Sequence, residues 1–305
     1  MVQEIETTWQ DYVARHEEED SSDYVFRGQS NSQSEEWELV SSFNRYYSRD
    51  QMSFRTFIGQ QLEENLFERT YGNYQYVKNT SLTGMNTIAR IYHLQHHGIP
   101  TCFLDFTFDP LVALYFALTG IKGQSGGQYS TEGFPLFYNE ECHITIFKIN
   151  HVLLKEHLGI RDLAHFGNNF FIEYDHYLKE IDGIRHAHLA LDLDPASKFD
   201  EGSSNYNLRK QKSAFILFDR DHFKKDLVGF TKDYLRNRNK EINYPLITKY
   251  LIPYNTVFSP MRSRQPDYLT LFRFLMEKGI YGKNLFNDYQ GLKYDLNFFH
   301  HKRRP

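Results

Sequence analysis

The pattern of apolar and polar residues alternates between short β-type runs and amphipathic helical stretches. The runs "HITIFKI" (143–149), "SAFILF" (213–218) and "TKYLIP" (248–253) are rich in β-branched and aromatic residues, which predicts three strands. Over residues 53–72 the apolar positions recur with a helical period and predict an amphipathic helix. We therefore expect an α+β fold in a single domain that spans residues 1–305.

Two segments of that domain have simpler patterns. Apolar residues from Ile5 to Val13 recur at helical spacing, which predicts an N-terminal helix within residues 1–20 that ends in an acidic run. The stretch over residues 121–136 is rich in Gly and Ser and predicts a flexible loop.

The most informative stretch covers residues 89–120. A helix is expected to end near Gly98, and "TCFLDFT" (101–107) then predicts a strand that carries Asp105 among apolar neighbours. Asp109 is suited to cap the next helix, which is nearly all apolar. Because a carboxylate that faces a core must be paired or hydrogen-bonded, Asp105 is the residue here that packing alone does not explain.

Composition limits the partners of the protein. The net charge of −4 gives no electrostatic argument for nucleic acid or for an anionic membrane, and no stretch approaches the ~18 apolar residues of a membrane helix. Two cysteines do not make a disulfide framework and favour a reducing compartment. The high aromatic content of 16% is best explained by an aromatic core. We expect a cytoplasmic protein with no membrane partner.

Several blocks of the sequence, taken in order, resemble the FRG domain family, which is named after its Phe-Arg-Gly motif. This resemblance extends over nearly the whole chain. The blocks are Phe26-Arg27-Gly28-Gln29, residues 39–45, residues 95–101 with 104–107, residues 207–215, "KYLIP" (249–253) and "LMEKGIYGKNLFNDYQGL" (275–292).

The segment "LDFTFDPLVALYFA" (104–117) is similar, more loosely, to the second block of mono-ADP-ribosyltransferases. That resemblance implies a split, bent mixed sheet flanked by helices, with NAD as the substrate. It also implies an arginine or histidine on a first strand that contacts the dinucleotide and a Ser or Thr on a second strand that supports the site. In this interpretation Arg27 ends its strand at an anion site, because a guanidinium can hold a pyrophosphate bidentately. Gly28 would let the backbone approach the ligand closely.

The expected site combines residues from distant parts of the chain. The third strand of the site would be "RKQKSAFILF" (209–218), which offers Arg209, Gln211 and Ser213 on one face but no glutamate. Asp105 is therefore the expected source of negative charge for the developing ribose cation. The predicted catalytic residues are Asp105, Gln211 and Thr107, and the predicted NAD-binding residues are Arg27, Gly28, Gln29, Arg45, Gln95, His96, Thr101 and Arg209.

The leading hypothesis is an enzyme that transfers ADP-ribose to a macromolecular target or hydrolyses NAD, as a toxin or phage-defence effector. The sequence does not identify the acceptor. A second hypothesis is a non-catalytic module that senses a nucleotide or phosphate in a stress or defence system. A metal-dependent nuclease is a third hypothesis. His93 and His97 are spaced i and i+4 on a helix, but the glutamate of an HExxH motif is missing, and no metal site is predicted. Arg27 and Asp105 could also form a purely structural pair.

Overall fold

The protein is described by a computed structural model that covers residues 2–17, 19–30, 39–47, 52–63, 86–96, 99–119, 143–163, 170, 174–199, 206–220, 226–257 and 267–286. These residues contain nine strands. They are β1 Val2–Glu6, β2 Tyr24–Gln29, β3 Phe103–Thr107, β4 His143–Asn150, β5 Arg161–Asp162, β6 Leu178–Ile181, β7 Ile184–Asp192, β8 Ser213–Arg220 and β9 Ile247–Pro253. Of these, β4 and β8 are buried along nearly their whole length.

Helices connect the strands along the described chain. None of them combines the length and apolar character that a bilayer crossing needs. The α-helices are α1 Trp9–Glu17, α2 Ser42–Tyr46, α3 Phe54–Glu63, α4 Thr87–His96, α5 Pro110–Thr119, α6 His151–Leu158, α7 Tyr206–Lys210, α8 Leu227–Asn237, α9 Tyr254–Val257, α10 Asp267–Glu277 and α11 Gly282–Leu285, and short 3-10 helices cover Tyr174–Tyr177 and Pro195–Lys198.

The strands form a mixed sheet in the order β1-β9-β4-β2-β3-β8-β7-β5, with β6 paired to β7. The β1/β9 and β5/β7 pairs are parallel and the others are antiparallel. The two halves of the sheet meet at β2 and β3, whose ladder consists of one residue pair, Phe26 and Thr107. The expected α+β class with a mixed sheet is confirmed. The strands are not divided between two separate sheets, although the sheet is nearly interrupted between β2 and β3.

Three apolar clusters join the helices to the two faces of the sheet. On one face, α1, α5 and α10 cover β2, β4 and β9 in one apolar cluster, and α3 and α4 cover β3, β7 and β8 in another. The opposite face is covered by a third cluster that includes α6 and α8. The boundary between the two clusters of the first face lies over the β2/β3 junction, and residues of both clusters line a cavity there.

Several predictions about individual elements are confirmed. Strands β4, β8 and β9 cover the three predicted runs, and the predicted helix over 53–72 begins as α3, whereas residues 64–72 lie outside the described part. Asp109 caps α5, because its Oδ1 accepts hydrogen bonds from the amides of Leu111 and Val112 at 3.0 and 3.3 Å. The predicted loop over 121–136 also lies outside the described residues.

Three predictions about elements are wrong. Residues 2–6 are a strand rather than the start of a helix, because they pair in parallel with β9 and only Trp9–Glu17 is helical. Strand β2 does not stop at Arg27 but continues to Gln29, since β4 pairs with it along its length. Residues 206–210 form helix α7, and β8 begins only at Ser213, after Lys212 turns the chain with a φ of 47°.

Candidate functional site

A cavity of about 320 Å³ opens where the two halves of the sheet meet. Strands β2, β3 and β8 form its floor and α4 and α5 its sides. The lining residues are Phe26, Arg27, Gly28, Tyr92, Gln95, Asp105, Phe106, Thr107, Ala113, Phe116, Leu208, Gln211, Ser213, Phe215 and Phe286. Six of the eleven predicted site residues are therefore brought together, namely Arg27, Gly28, Gln95, Asp105, Thr107 and Gln211.

Arg27 bridges the weak junction in the sheet. Its Nη1 donates a hydrogen bond of 2.7 Å to the main-chain carbonyl of Asp105 and lies 3.7 Å from that residue's carboxylate. The side chain is 16% exposed, and its Nε is buried without a hydrogen-bond partner in the described part of the chain. Burial lowers the pKa of Arg27, and Asp105 opposes that shift. Arg27 thus brings a desolvated cation to the cavity and also joins β2 to β3.

Asp105 is held by a short chain of side chains. The hydroxyl of Thr101 donates to Oε1 of Gln95, and Nε2 of Gln95 donates to Oδ1 of Asp105. These two bonds fix which end of the Gln95 amide faces the carboxylate. The expectation that Asp105 faces a core is wrong, since its side chain is 63% exposed beside the cavity. It is therefore a carboxylate that is positioned by the protein yet open to a ligand.

Gly28 is required by packing rather than by a ligand. A β-carbon at this position would lie 1.9 Å from the carbonyl oxygen of Ala113 and 2.8 Å from the amide nitrogen of Ala117. The backbone of α5 therefore crosses directly over β2. The prediction that Gly28 admits close approach of a ligand has to be corrected, because helix α5 occupies the space above its Cα.

Thr107 and Gln211 line the cavity but are engaged in internal hydrogen bonds. The hydroxyl of Thr107 donates to the main-chain carbonyl of Gln211 at 2.6 Å and accepts from the amide of Asp109 at 3.0 Å. Nε2 of Gln211 donates to the carbonyl of Leu285 at 3.2 Å. These contacts fasten β3 to the turn before β8 and attach α11 to the cavity wall. The geometry gives both residues a structural role.

The other predicted site residues lie outside the lining. Thr101 is buried behind Gln95, and Gln29 ends β2 opposite Thr145. Arg209 lies on α7, so it does not share a strand face with Gln211 as predicted. His96 ends α4, and its side chain lies outside the described part.

Arg45 on α2 is exposed yet electrostatically coupled to the site. Partial burial lowers its pKa, whereas Tyr46 and Asp105 raise it, and its charge contributes to lowering the pKa of Arg27. The carboxylate of Asp105 therefore interacts electrostatically with both Arg27 and Arg45. Arg45 adds positive charge near the cavity without lining it.

Sequence reasoning missed the aromatic walls of the cavity. The rings of Phe116 and Phe286 meet edge to face with centroids 5.9 Å apart, and those of Tyr92 and Phe215 lie 4.4 Å apart. The hydroxyl of Tyr92 donates to the buried carboxylate of Asp192 at 2.7 Å, which fixes the ring. Phe215 directly faces Asp105 across the β3/β8 ladder. The sequence does not give the register of these two strands, so it does not show that Phe215 lies beside the site.

A metal centre has no support among the described side chains, where no three His, Cys, Asp or Glu groups lie together in a way that could hold an ion. His93 is buried on α4, and His97 lies outside the described residues.

Comparison with known proteins gives a match for part of the chain. Residues 22–125 match the family model of the FRG domain, which is about a third of the sequence. No curated protein and no solved structure matches the chain. The resemblance predicted for later blocks, such as 207–215, is not part of this match, so β8 and α11 contribute to the cavity from outside it. The segment that supplies Arg27, Gly28, Gln95 and Asp105 to the cavity matches the FRG domain family.

Proposed function

We propose that the cavity binds the nicotinamide and ribose half of NAD and that the protein breaks the bond between them, as an ADP-ribosyltransferase-like enzyme or an NAD glycohydrolase. The observation that carries the proposal is the position of Asp105. Its carboxylate is exposed beside the cavity, held by Gln95 and flanked by Arg27. A fixed anion of this kind suits a reaction in which positive charge develops on a sugar.

In the proposed reaction the glycosidic carbon–nitrogen bond breaks, and its electron pair leaves with nicotinamide. The ribose carbon gains positive charge as the bond lengthens, and the carboxylate of Asp105 stabilises that charge. A water molecule or an acceptor group on a macromolecule then forms the new bond to this carbon and loses its proton. Among the described residues that line the cavity, Asp105 is the one carboxylate available for this role.

The remaining features of the cavity agree with such a substrate. Phe116, Phe215 and Phe286 provide flat apolar walls for a planar ring. Arg27, with Arg45 nearby, supplies positive charge for a pyrophosphate. The cavity volume of about 320 Å³ is at the lower end of ligand sites, so it suits one half of a dinucleotide, with the other half outside.

A specific observation also favours a second function, which is a non-catalytic nucleotide sensor. Thr107 and Gln211 are used in internal hydrogen bonds, and no second carboxylate lines the cavity within the described part. A site of this composition can bind a nucleotide through Arg27 and the aromatic walls without accelerating any reaction.

Incubation of the purified protein with NAD, followed by chromatographic measurement of nicotinamide, tests the enzyme. Release that depends on Asp105 supports the proposal. Calorimetric binding of NAD without release would replace the enzyme with the sensor. Absence of both binding and release would contradict both functions.

A further inference from the structure

A second cavity, of about 460 Å³, lies on the other half of the sheet. It is bounded by α1 and by strands β1, β9, β4 and β2, and it shares no lining residue with the first cavity. The lining residues are Gln3, Ile5, Arg15, Glu19, Tyr24, Lys148, Asn150, Leu153, Tyr244, Pro245, Thr248 and Tyr250. Polar side chains and tyrosine rings thus occupy a sheet face that is apolar further along the same strands.

Two cations point into this region. The side chain of Lys148 is only 9% exposed, and its Nζ lies 3.9 Å from the centre of the Tyr24 ring. The guanidinium of Arg15 lies 5.8 Å from the centre of the Tyr250 ring. Both charges are therefore held against tyrosine faces, which keeps long side chains in defined positions.

The negative charge of the cavity is smaller than its positive charge. Among the described lining residues Glu19 is the one carboxylate, and it is paired with Lys148 and lies 2.8 Å from Nδ1 of His16. Burial, with Lys148 as the next cause, lowers the pKa of His16 to about 4, so this imidazole is neutral at pH 7. Two cations therefore face one anion, and Arg15 supplies the excess positive charge.

Among the described tyrosines of the cavity, Tyr244 offers an exposed ring for stacking. Tyr244 is 43% exposed, and its hydroxyl lies 2.9 Å from Nε2 of His157, which orients the ring. Tyr250 is buried beneath Arg15. Tyrosine faces are well suited to a planar ring.

We propose that this second cavity binds a small ligand in which a planar aromatic ring carries one anionic group, with the ring against Tyr244 and the anion beside Arg15 and Lys148. A mononucleotide and an aromatic carboxylate share this chemistry. The volume lies within the range of small-molecule sites. The inference is independent of the function proposed for the first cavity.

Calorimetric titration with four probes tests the ligand class. The probes are adenosine 5′-monophosphate, adenosine, benzoate and inorganic phosphate. We expect adenosine 5′-monophosphate to bind at least about tenfold more tightly than adenosine or phosphate, or benzoate to bind more tightly than phosphate. The first result identifies a nucleotide and the second an aromatic carboxylate. Equal affinity for adenosine and its monophosphate without benzoate binding, or no binding by any probe, would overturn the proposal.

Variants locate the binding. Arg15→Gln removes an exposed charge and should weaken the effective probe by about tenfold. The double variant Lys148→Met with Glu19→Gln removes the buried pair together, so that no lone charge is left behind, and it should also weaken binding. Lys249→Gln, on the opposite face of β9, and Arg27→Met, in the first cavity, should leave the affinity unchanged. If Arg15→Gln bound as tightly as wild type, or Arg27→Met abolished binding, the assignment to this cavity would be wrong.

Discussion

Gly28 lies directly beneath the backbone of Ala113, so close that a β-carbon at Gly28 would be 1.9 Å from the Ala113 carbonyl oxygen. No side chain can move aside to relieve this contact, because the nearest atoms belong to the backbone of α5. The glycine next to Arg27 therefore sets the distance between α5 and β2. Since Phe116 lies on the same helix, this distance also shapes the first cavity.

Gly28→Ala should accordingly destabilise the protein severely. The helix has to move away from the sheet, and we expect a loss of about 3 kcal/mol or more in the free energy of unfolding. Thermal unfolding followed by circular dichroism should show a midpoint lowered by roughly 10 °C. Gly59→Ala is the matched control, because a β-carbon there meets nothing within 4 Å and α3 should gain stability from alanine. Similar melting of the two variants would contradict the packing role of Gly28.

Much of the sheet could be predicted from the sequence, for a physical reason. Strands such as β4 and β8 are buried along nearly their whole length and contain runs of β-branched and aromatic residues, a local pattern that can be read without knowing the partner strands. The cap at Asp109 is likewise encoded within three residues. Residues 2–6 were assigned wrongly because their strand is formed by pairing with β9, about 245 residues later in the chain.

The site could be predicted only in part. Arg27 and Asp105 stand out because charged side chains interrupt apolar strands, and the structure brings them within 3.7 Å. The role of Gly28 was misassigned because local sequence shows that a side chain is absent, but not whether a ligand or a helix fills the space. The contribution of Phe286 to the cavity wall could not be predicted from the sequence. Phe286 follows Leu285, whose carbonyl accepts a hydrogen bond from the distant residue Gln211, and such a contact is not visible in the local sequence.

Arg27→Met should impair ligand binding far more than folding. The partner that is left behind, Asp105, is 63% exposed, so its carboxylate is hydrated after the substitution and no buried charge is stranded. We expect a loss of about 1 to 2 kcal/mol, or a melting shift below about 8 °C, together with loss of NAD binding by calorimetry.

Arg220→Met provides the control for that experiment. Arg220 is half-buried, burial lowers its pKa, and it donates to the carbonyl of Asn44 at 3.3 Å outside the cavity. It should lose comparable stability yet retain binding. A much larger destabilisation from Arg27→Met than from Arg220→Met would assign Arg27 to the fold alone.

His16 should make stability depend on pH. Its side chain is 1% exposed, and burial lowers its pKa from 6.5 to about 4. Between these values the unfolded chain binds a proton that the folded chain does not, so stability is lost as the pH falls from about 6.5 to about 4. The contribution amounts to at most about 3 kcal/mol.

Urea unfolding of wild type and His16→Gln at half-unit pH steps isolates this contribution, because the carboxylates that do not contact His16 titrate equally in both proteins. The difference in unfolding free energy should change across that window and level off below it. Parallel pH profiles for the two proteins would exclude His16 as the source.

Asp105→Asn tests the proposed chemistry while preserving shape. The main-chain carbonyl that accepts from Arg27 is unchanged, and the side chain is mostly exposed, so the melting temperature should stay within about 2 °C of wild type. Affinity for NAD should change only a few-fold. Nicotinamide release should fall by ~10² or more, because one preorganised charge that acts mainly in the transition state is lost.

Asp182→Asn makes the same change in a turn away from the cavity, where a φ of 54° suits asparagine equally, and it should leave nicotinamide release intact. If Asp105→Asn released nicotinamide at the wild-type rate, Asp105 would not be the catalytic anion. If the wild-type protein bound NAD without releasing nicotinamide, the protein would be a sensor, and Asp105→Asn would alter its affinity alone.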